Sequence, residues 1–359
     1  MYVKKLTLKD FRNWQGSTIE LSDGVNVFEG RNAQGKTNLL EALYVTCVGK
    51  SQRTPRDKEL IRWDCDRAYV AAQVQKKYGS DNVEIVLSRN VNKCVSVNSL
   101  PLTKLGELMG TVLGVLFSPE EIKTVKESPS ERRRFVDVAL SQMSKSYFYA
   151  LNRYNKILAQ RNRLLKQSKI DPSAIDVWDM QLAAAGAGIV KSRRGFLQRL
   201  LPHAKDVHSF ITEEKEELSL AYEGASGESV KEIEENMTEL LLKSRESDLR
   251  LGFTHIGPHK DDVKITADGM DIRSFGSQGQ QRTAALSLQL ALLRLMTEFT
   301  GESPVLLLDD VMSELDCVRR ERLLRLIRPY QVIITCTELP ELIDDKTVKR
   351  FVVDGGKIV

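Results

Sequence analysis

Gly30-Arg31-Asn32-Ala33-Gln34-Gly35-Lys36-Thr37 fits the pattern GxxxxGK[ST] without a mismatch, and its flanks are those a phosphate-binding loop requires. Upstream, Gly24-Val25-Asn26-Val27-Phe28-Glu29 reads as a strand running into Gly30. Downstream, a helix is predicted from about Thr37 to Val48, with Leu39, Leu40, Leu43, Tyr44 and Val48 on one apolar stripe. The glycines let the loop curl so that backbone N–H groups face phosphate oxygens, and the helix turns its positive end to the same anion. Lys36 is expected to bridge the β- and γ-phosphates of ATP as a charge, and the Thr37 hydroxyl to ligate Mg²⁺.

The second half of such a site lies far downstream. Val305-Leu306-Leu307-Leu308 reads as a buried strand that delivers Asp309 at its carboxyl end, where open α/β sheets bind ligands. Asp309 is therefore the expected Mg²⁺ partner, directly or through water. Asp310 follows as the carboxylate that polarises the attacking water, so Lys36 and Asp310 are the candidate catalytic pair. Ahead of this strand stand Ser274-Phe275-Gly276-Ser277-Gln278-Gly279-Gln280-Gln281-Arg282 and an apolar helix from Thr283 to Phe299. Ser277 can cap that helix, whose start is expected near Gln281. After the strand comes Ser313-Glu314-Leu315-Asp316.

The rest of the chain divides by pattern. Up to about residue 100 it is strand-rich around one helix, with a hairpin sheet between Tyr69 and Val97. Ser130 to about Gln167 lacks glycine and proline and reads as one long helix, broken at Asp171-Pro172-Ser173. A second helix is predicted from Ala174 to Leu201, stopping before Pro202, and the two are expected to pair as an antiparallel arm. Glu213 to Leu220 and an acidic helix from Glu228 to Ser244 complete the insert. From Gly252 strands and helices alternate again, which predicts a covered parallel sheet. The expected architecture is α/β: a lobe built from residues 1–115 and 251–359 around a mixed sheet with a β-subdomain, and a helical insert lobe, 116–250, facing DNA or a partner.

Composition narrows the function classes. The 359 residues are 42% hydrophobic and 28% charged, ordinary for a globular protein, and the formal net charge of +4 permits an anionic partner without demanding one. Five scattered cysteines without a CxxC argue against a zinc site or a disulfide framework. The opening Met1-Tyr2-Val3-Lys4-Lys5-Leu6 lacks an apolar signal core, and no stretch reaches the roughly 18 apolar residues of a membrane span. A cytoplasmic, nucleoid-associated protein without a membrane partner is expected. Val138 to Ile170 holds no acidic residue, while Lys145, Arg153, Lys156, Arg161, Arg163, Lys166 and Lys169 lie along it. With Arg132, Arg133, Arg134 and the group Lys191, Arg193, Arg194, it suggests helices that contact DNA phosphates without reading sequence.

Several motifs carry a family resemblance: Leu8-Lys9-Asp10-Phe11-Arg12-Asn13-Trp14, the loop at Gly30, Phe117-Ser118-Pro119-Glu120, Arg132-Arg133-Arg134-Phe135-Val136-Asp137, Gly257-Pro258-His259-Lys260-Asp261-Asp262, and the run from Ser277 to Asp316. Together the chain resembles the RecF family of SMC-like ABC-type ATPases. The resemblance implies an ATP-dependent homodimer in which Ser277, Gly279 and Gln280 form a signature that caps, in trans, a nucleotide held by the other subunit. Ser313 and Asp316 then belong to a D-loop along the dimer interface, Arg12 lies near the nucleotide, and Gly257-Pro258-His259 can reach the shared interface. It further implies double-stranded DNA near gap junctions, RecR and RecO as partners, and help in loading RecA. Many ABC ATPases carry a switch histidine where this chain has Thr335-Cys336-Thr337; its loss predicts slow hydrolysis, a switch rather than a motor, and the expected activity is a weak, DNA-stimulated ATPase that acts as a release switch. A transporter's nucleotide-binding subunit would share the ATP motifs but not need the basic helical insert. A non-hydrolysing SMC-type clamp would need far longer coiled coils.

Overall fold

The computed structural model describes residues 1–167, 172–213, 216–338 and 348–359. Expectations placed on Lys169, Ile170 and Asp171 lie outside these residues. The chain opens with β1 (Tyr2–Phe11), β2 (Trp14–Glu20), β3 (Val25–Glu29) and α1 (Lys36–Val48), then β4 (Arg67–Gln75), β5 (Ser80–Ser88), β6 (Cys94–Val97), β7 (Leu100–Pro101) and β8 (Gly114–Phe117). Helices α2 (Lys123–Lys126), α3 (Pro129–Met143), α4 (Lys145–Leu164) and α5 (Pro172–Thr212) follow. After β9 (Leu218–Glu223) come α6 (Val230–Leu251), β10 (Asp262–Ala267), β11 (Met270–Asp271), α7 (Ile272–Phe275) and α8 (Gln278–Thr300). The chain closes with β12 (Val305–Asp309), α9 (Cys317–Ile327), β13 (Val332–Cys336), β14 (Val348–Asp354) and β15 (Lys357–Ile358).

Two sheets frame the site. Strands β14, β3, β13, β12 and β8 are parallel neighbours, with β15 antiparallel at the outer edge, so the sheet is mixed. Its central strands are buried on both faces: Leu306, Leu308, Val332 and Ile334 join one core with α8, whereas Val305, Leu307 and Ile333 join another with α1. Period-two side chains feeding two cores explain why these segments read as unbroken apolar runs. The second sheet, in the order β2-β1-β4-β5-β6-β7, is antiparallel. Val3, Leu6, Leu8 and Phe11 of β1 alternate inward with Val70, Ala72 and Val74 of β4, covering the α1 side. The five cysteines are free thiols.

Three expectations for the insert are corrected. The helix expected from Ser130 to Gln167 is two helices, because Ser144 leaves helical geometry at φ −143° and ψ 107° and caps α4 by accepting a bond from the Tyr147 N–H. The second helix does not stop before Pro202. It runs on to Thr212, since Leu197 and Leu200 before the proline and Ala204, Val207 and Ile211 after it sink into one core, offsetting the lost N–H. The boundary expected at 250/251 cuts through a sheet, for β9 pairs with β10 from Asp262↔Glu223 to Ala267↔Leu218. Helices α4, α5 and α6 pack on a core of their own around Tyr154, Leu182, Met237 and Leu241.

Candidate active site

The loop between β3 and α1 takes a shape that its glycines permit. Gly30 has φ 152° and Gly35 φ 108°; a side chain on Gly30 would strike the Val353 carbonyl, and a Cβ on Gly35 would sit 2.5 Å from Asn13 Oδ1. Neighbouring strands hold the outer side of the loop. Asn13 Nδ2 donates to Gln34 O at 2.9 Å, Trp14 Nε1 to Gly35 O at 3.0 Å, and the Gly356 N–H to Gln34 O at 2.9 Å. With those carbonyls engaged, the first-turn N–H groups of α1, which helix geometry leaves without partners, point to the open side. Lys36 is buried there and donates to the Gly30 and Arg31 carbonyls at 2.5 and 2.8 Å. Among the described residues no carboxylate pairs with it.

The register of the parallel sheet brings in the acids. Asp309 faces Thr335 in the β12–β13 pair, and Thr335 faces Phe28 in the β13–β3 pair, placing all three at the level where β3 leaves for the loop. Asp309 Oδ1 accepts from Thr37 Oγ1 at 2.9 Å and from Thr335 Oγ1 at 2.7 Å. Burial pushes the Asp309 carboxyl above the usual carboxylate range, while the two hydroxyls pull the other way. Asp310 stands at φ 53°, in the left-handed region, and its buried Oδ1 has no hydrogen-bond partner. The Asp310 carbonyl accepts from Ser313 Oγ at 2.7 Å, and Asp316 caps α9 by accepting the Arg319 N–H at 2.8 Å. Sequence reading had singled out Lys36, Thr37, Asp309 and Asp310, and the fold gathers them; it missed Asn13, Trp14 and Gly356 as loop supports.

The segment at Ser277 is built as a helix start. Ser277 Oγ accepts the Gln280 N–H at 3.2 Å, and Gln280 Oε1 accepts the Ser277 N–H at 2.9 Å, a reciprocal capping box that begins α8 at Gln278, three residues before the expected start. Gln280 Nε2 also donates to Glu216 Oε1 at 3.0 Å. Ser277 is exposed, and among the described residues no hydrogen bond ties it or Gln280 to the phosphate loop of the same chain. A cavity of about 460 Å³ lies elsewhere, between the last turn of α1, α3 and α4, and none of the phosphate-loop residues line it.

A family profile described as AAA domain matches residues 5–250. The DNA replication and repair protein RecF of Clostridium perfringens is 43% identical over 360 residues, covering 100% of this chain and 99% of its own length. Its counterpart from Alkaliphilus oremlandii is 44% identical over 364 residues, covering 100% of each. The chain belongs to the RecF family. A solved RecF, described as the recombination mediator protein RecF with ATP in the RecFOR pathway, superposes on it with a TM-score of 0.93 at 37% identity, covering 100% of this chain and 97% of that one. An Smc head bound to the C-terminal winged-helix domain of ScpA matches at a TM-score of 0.58 and 17% identity, a likeness of fold alone. The chain thus has the ABC-type ATPase head fold shared by RecF and Smc heads.

Not all the basic residues expected on a DNA-facing surface of this RecF-family chain are on a surface. Arg132 is buried in a two-bond pair with Asp262, at 2.7 and 2.8 Å. Arg161 is fully buried, bonded to Asp179 and Asp248 at 2.6 Å each and to Thr254 at 2.7 Å. Arg193 is likewise buried against Asp137. For these three the DNA expectation is corrected: a guanidinium left in the interior must meet carboxylates there. Arg133, half-buried, donates to the Asp261 carbonyl at 2.6 Å, and Arg134, exposed, donates to the Gln52 carbonyl at 3.1 Å. Arg153, Lys156 and Arg163 are exposed along α4. Arg12 makes a two-bond pair with the buried Glu41, and His259 packs locally, bonded to Tyr154 and to the Thr254 carbonyl.

Proposed function

We propose that this chain is an ATP-driven dimeric switch on double-stranded DNA, acting near gap junctions with RecR- and RecO-type partners to promote RecA loading, in the cytoplasm and at the nucleoid. The observation that carries it is the convergence of Lys36, Thr37, Asp309 and Asp310 at one end of the parallel sheet, while the exposed N-terminus of α8 at Ser277 makes, among the described residues, no hydrogen bond to the phosphate loop of its own chain. A second copy can then bring its Ser277, Gly279 and Gln280 over the triphosphate, with Ser313 and Asp316 beside the shared interface.

The donor set fits Mg²⁺. Thr37 directs its hydroxyl proton to Asp309, leaving its oxygen lone pairs outward, and among the described residues no three His, Cys, Asp or Glu side chains converge. A hard cation held by one hydroxyl, one carboxylate and substrate oxygens is the Mg²⁺ pattern. Held by Thr37 and Asp309, the ion would supply positive charge against the triphosphate. Lys36 exchanges the Gly30 and Arg31 carbonyls for the β- and γ-phosphates, the loop N–H groups hold the anion in place, and Asp310 orients the water that attacks the γ-phosphorus and takes its proton as the bond from that phosphorus to the β-phosphate oxygen breaks and ADP leaves. The exposed Arg153, Lys156 and Arg163 of α4 support contact with DNA phosphates. Arg133 and Arg134 are partly held by backbone carbonyls and are secondary contacts at most.

Phosphate release measured with and without duplex DNA tests the reading. DNA is expected to raise the rate of the wild type, and Asp310→Asn to keep ATP binding while losing about 100-fold or more of the turnover. Turnover unchanged in Asp310→Asn, or absent from the wild type in both conditions, overturns the switch.

A further inference from the structure

We infer that Thr335 is a positioning residue that fixes both acids of the site, and that it does not replace the absent histidine as a sensor of the γ-phosphate. The inference rests on reading the site as an ATPase. Strand β13 is Val332-Ile333-Ile334-Thr335-Cys336, buried throughout, and Thr335 has no exposed surface. Valine has the same branched shape and would suit such a strand. A hydroxyl buried in its place is destabilising unless it is bonded. Here it is bonded on both sides. Thr335 Oγ1 donates to Asp309 Oδ1 at 2.7 Å and accepts the Asp310 N–H at 3.1 Å, which also reaches the Thr335 carbonyl at 3.1 Å.

Three consequences follow from that geometry. The single hydroxyl proton is committed to Asp309, so Thr335 has none to offer a phosphate oxygen. Asp309 Oδ1 is pinned from two strands, by Thr37 at the loop and Thr335 in the sheet, which fixes the rotation of its carboxylate before any cation arrives. The second bond holds the N–H of Asp310, the residue in the left-handed conformation, and so steadies the turn that presents its unpartnered Oδ1. Of the three residues at the histidine's place, Cys336 is buried, with its thiol pushed up to about 11 by burial, and only Thr337 is exposed. The work of Thr335 is therefore on the carboxylates.

The test compares wild type with Thr335→Val, Thr335→Ala and Thr335→Ser, with Lys36→Met as control, by ATP turnover and by binding of a fluorescent ATP analogue across a Mg²⁺ titration and in EDTA. Thr335→Val and Thr335→Ala are expected to lower kcat about tenfold with KM within about twofold, the size of one hydrogen bond to a charged group. The Mg²⁺ concentration at half-maximal analogue binding should rise about fivefold, while binding in EDTA, which depends on Lys36 and the loop, stays the same. Thr335→Ser should restore both quantities to within about twofold. If wild type binds and hydrolyses ATP but the Val and Ala variants match it in kcat and in Mg²⁺ midpoint, or Ser fails to rescue them, the positioning role falls and the ATPase reading stands. If wild type binds the analogue no better than Lys36→Met, the ATPase reading itself falls.

Discussion

His259 shows how far local bonding can settle a side chain's state. Its Nδ1 lies 2.7 Å from the Tyr154 hydroxyl and its Nε2 3.0 Å from the Thr254 carbonyl. A carbonyl only accepts, so Nε2 carries the proton and Nδ1 receives the tyrosine's. Burial lowers the pKa of the ring to about 4. Because the folded value lies below that of a free imidazole, the stabilisation from the neutral ring is complete above about pH 6.5 and is lost as pH falls towards 4. Urea unfolding of wild type and His259→Gln at pH 7.5 and pH 4.5 is expected to show the wild-type advantage shrinking by roughly 1–3 kcal/mol over that range. An advantage that stays constant would mean that folding leaves the proton affinity of the ring unshifted.

Helix α4 separates two uses of a basic residue within one element. Arg161 faces inward, where Asp179 and Asp248 surround it and Arg245 bonds the second oxygen of Asp179 at 2.7 Å. Arg163, two positions on, is exposed. Arg161→Ala should cost about 3–5 kcal/mol in stability, since it removes a buried cation from two buried carboxylates, leaving Asp179 to Arg245 and Asp248 to His255. Arg163→Ala should change stability by less than about 0.5 kcal/mol, yet weaken DNA binding and lower the slope of log affinity against log salt by about 1. Unfolding curves and a salt titration of DNA binding read both. An unchanged salt slope would remove Arg163 from the interface. The helical character of residues 145–164 was legible in the sequence, though not the break at Ser144 that makes α4 a helix of its own, and so were α1 and the central strands, because propensity and apolar period are local properties. Which arginine turns inward was not, since Asp179 lies on α5 and Asp248 on α6. Nor was the passage of α5 through Pro202, which depends on the core that grips both sides of it.

At the scale of the whole molecule, the candidate site is a meeting of distant segments. The loop motif and the two acids announce themselves in sequence, whereas the Thr335 bond to Asp309, the close approach of Val353 to Gly30 and the Trp14 bond to Gly35 exist only once β12 pairs with β13, β13 and β14 flank β3, and β2 of the second sheet meets the loop. The remaining piece, at Ser277, makes no hydrogen bond to the phosphate loop of its own chain among the described residues, and under the proposal that a second copy supplies the lid, pairing depends on the triphosphate. Small-angle scattering without nucleotide, with ADP and with ATP is therefore expected to show a dimer only with ATP. Lys36→Met should stay single in all three, because it cannot hold the nucleotide. Ser277→Arg should bind ATP as wild type does and stay single, because a long cation replaces the hydroxyl at the helix start; the lost cap costs only about 1 kcal/mol and leaves α8 in its core. An ATP-saturated Ser277→Arg that pairs normally would place the lid elsewhere on the molecule.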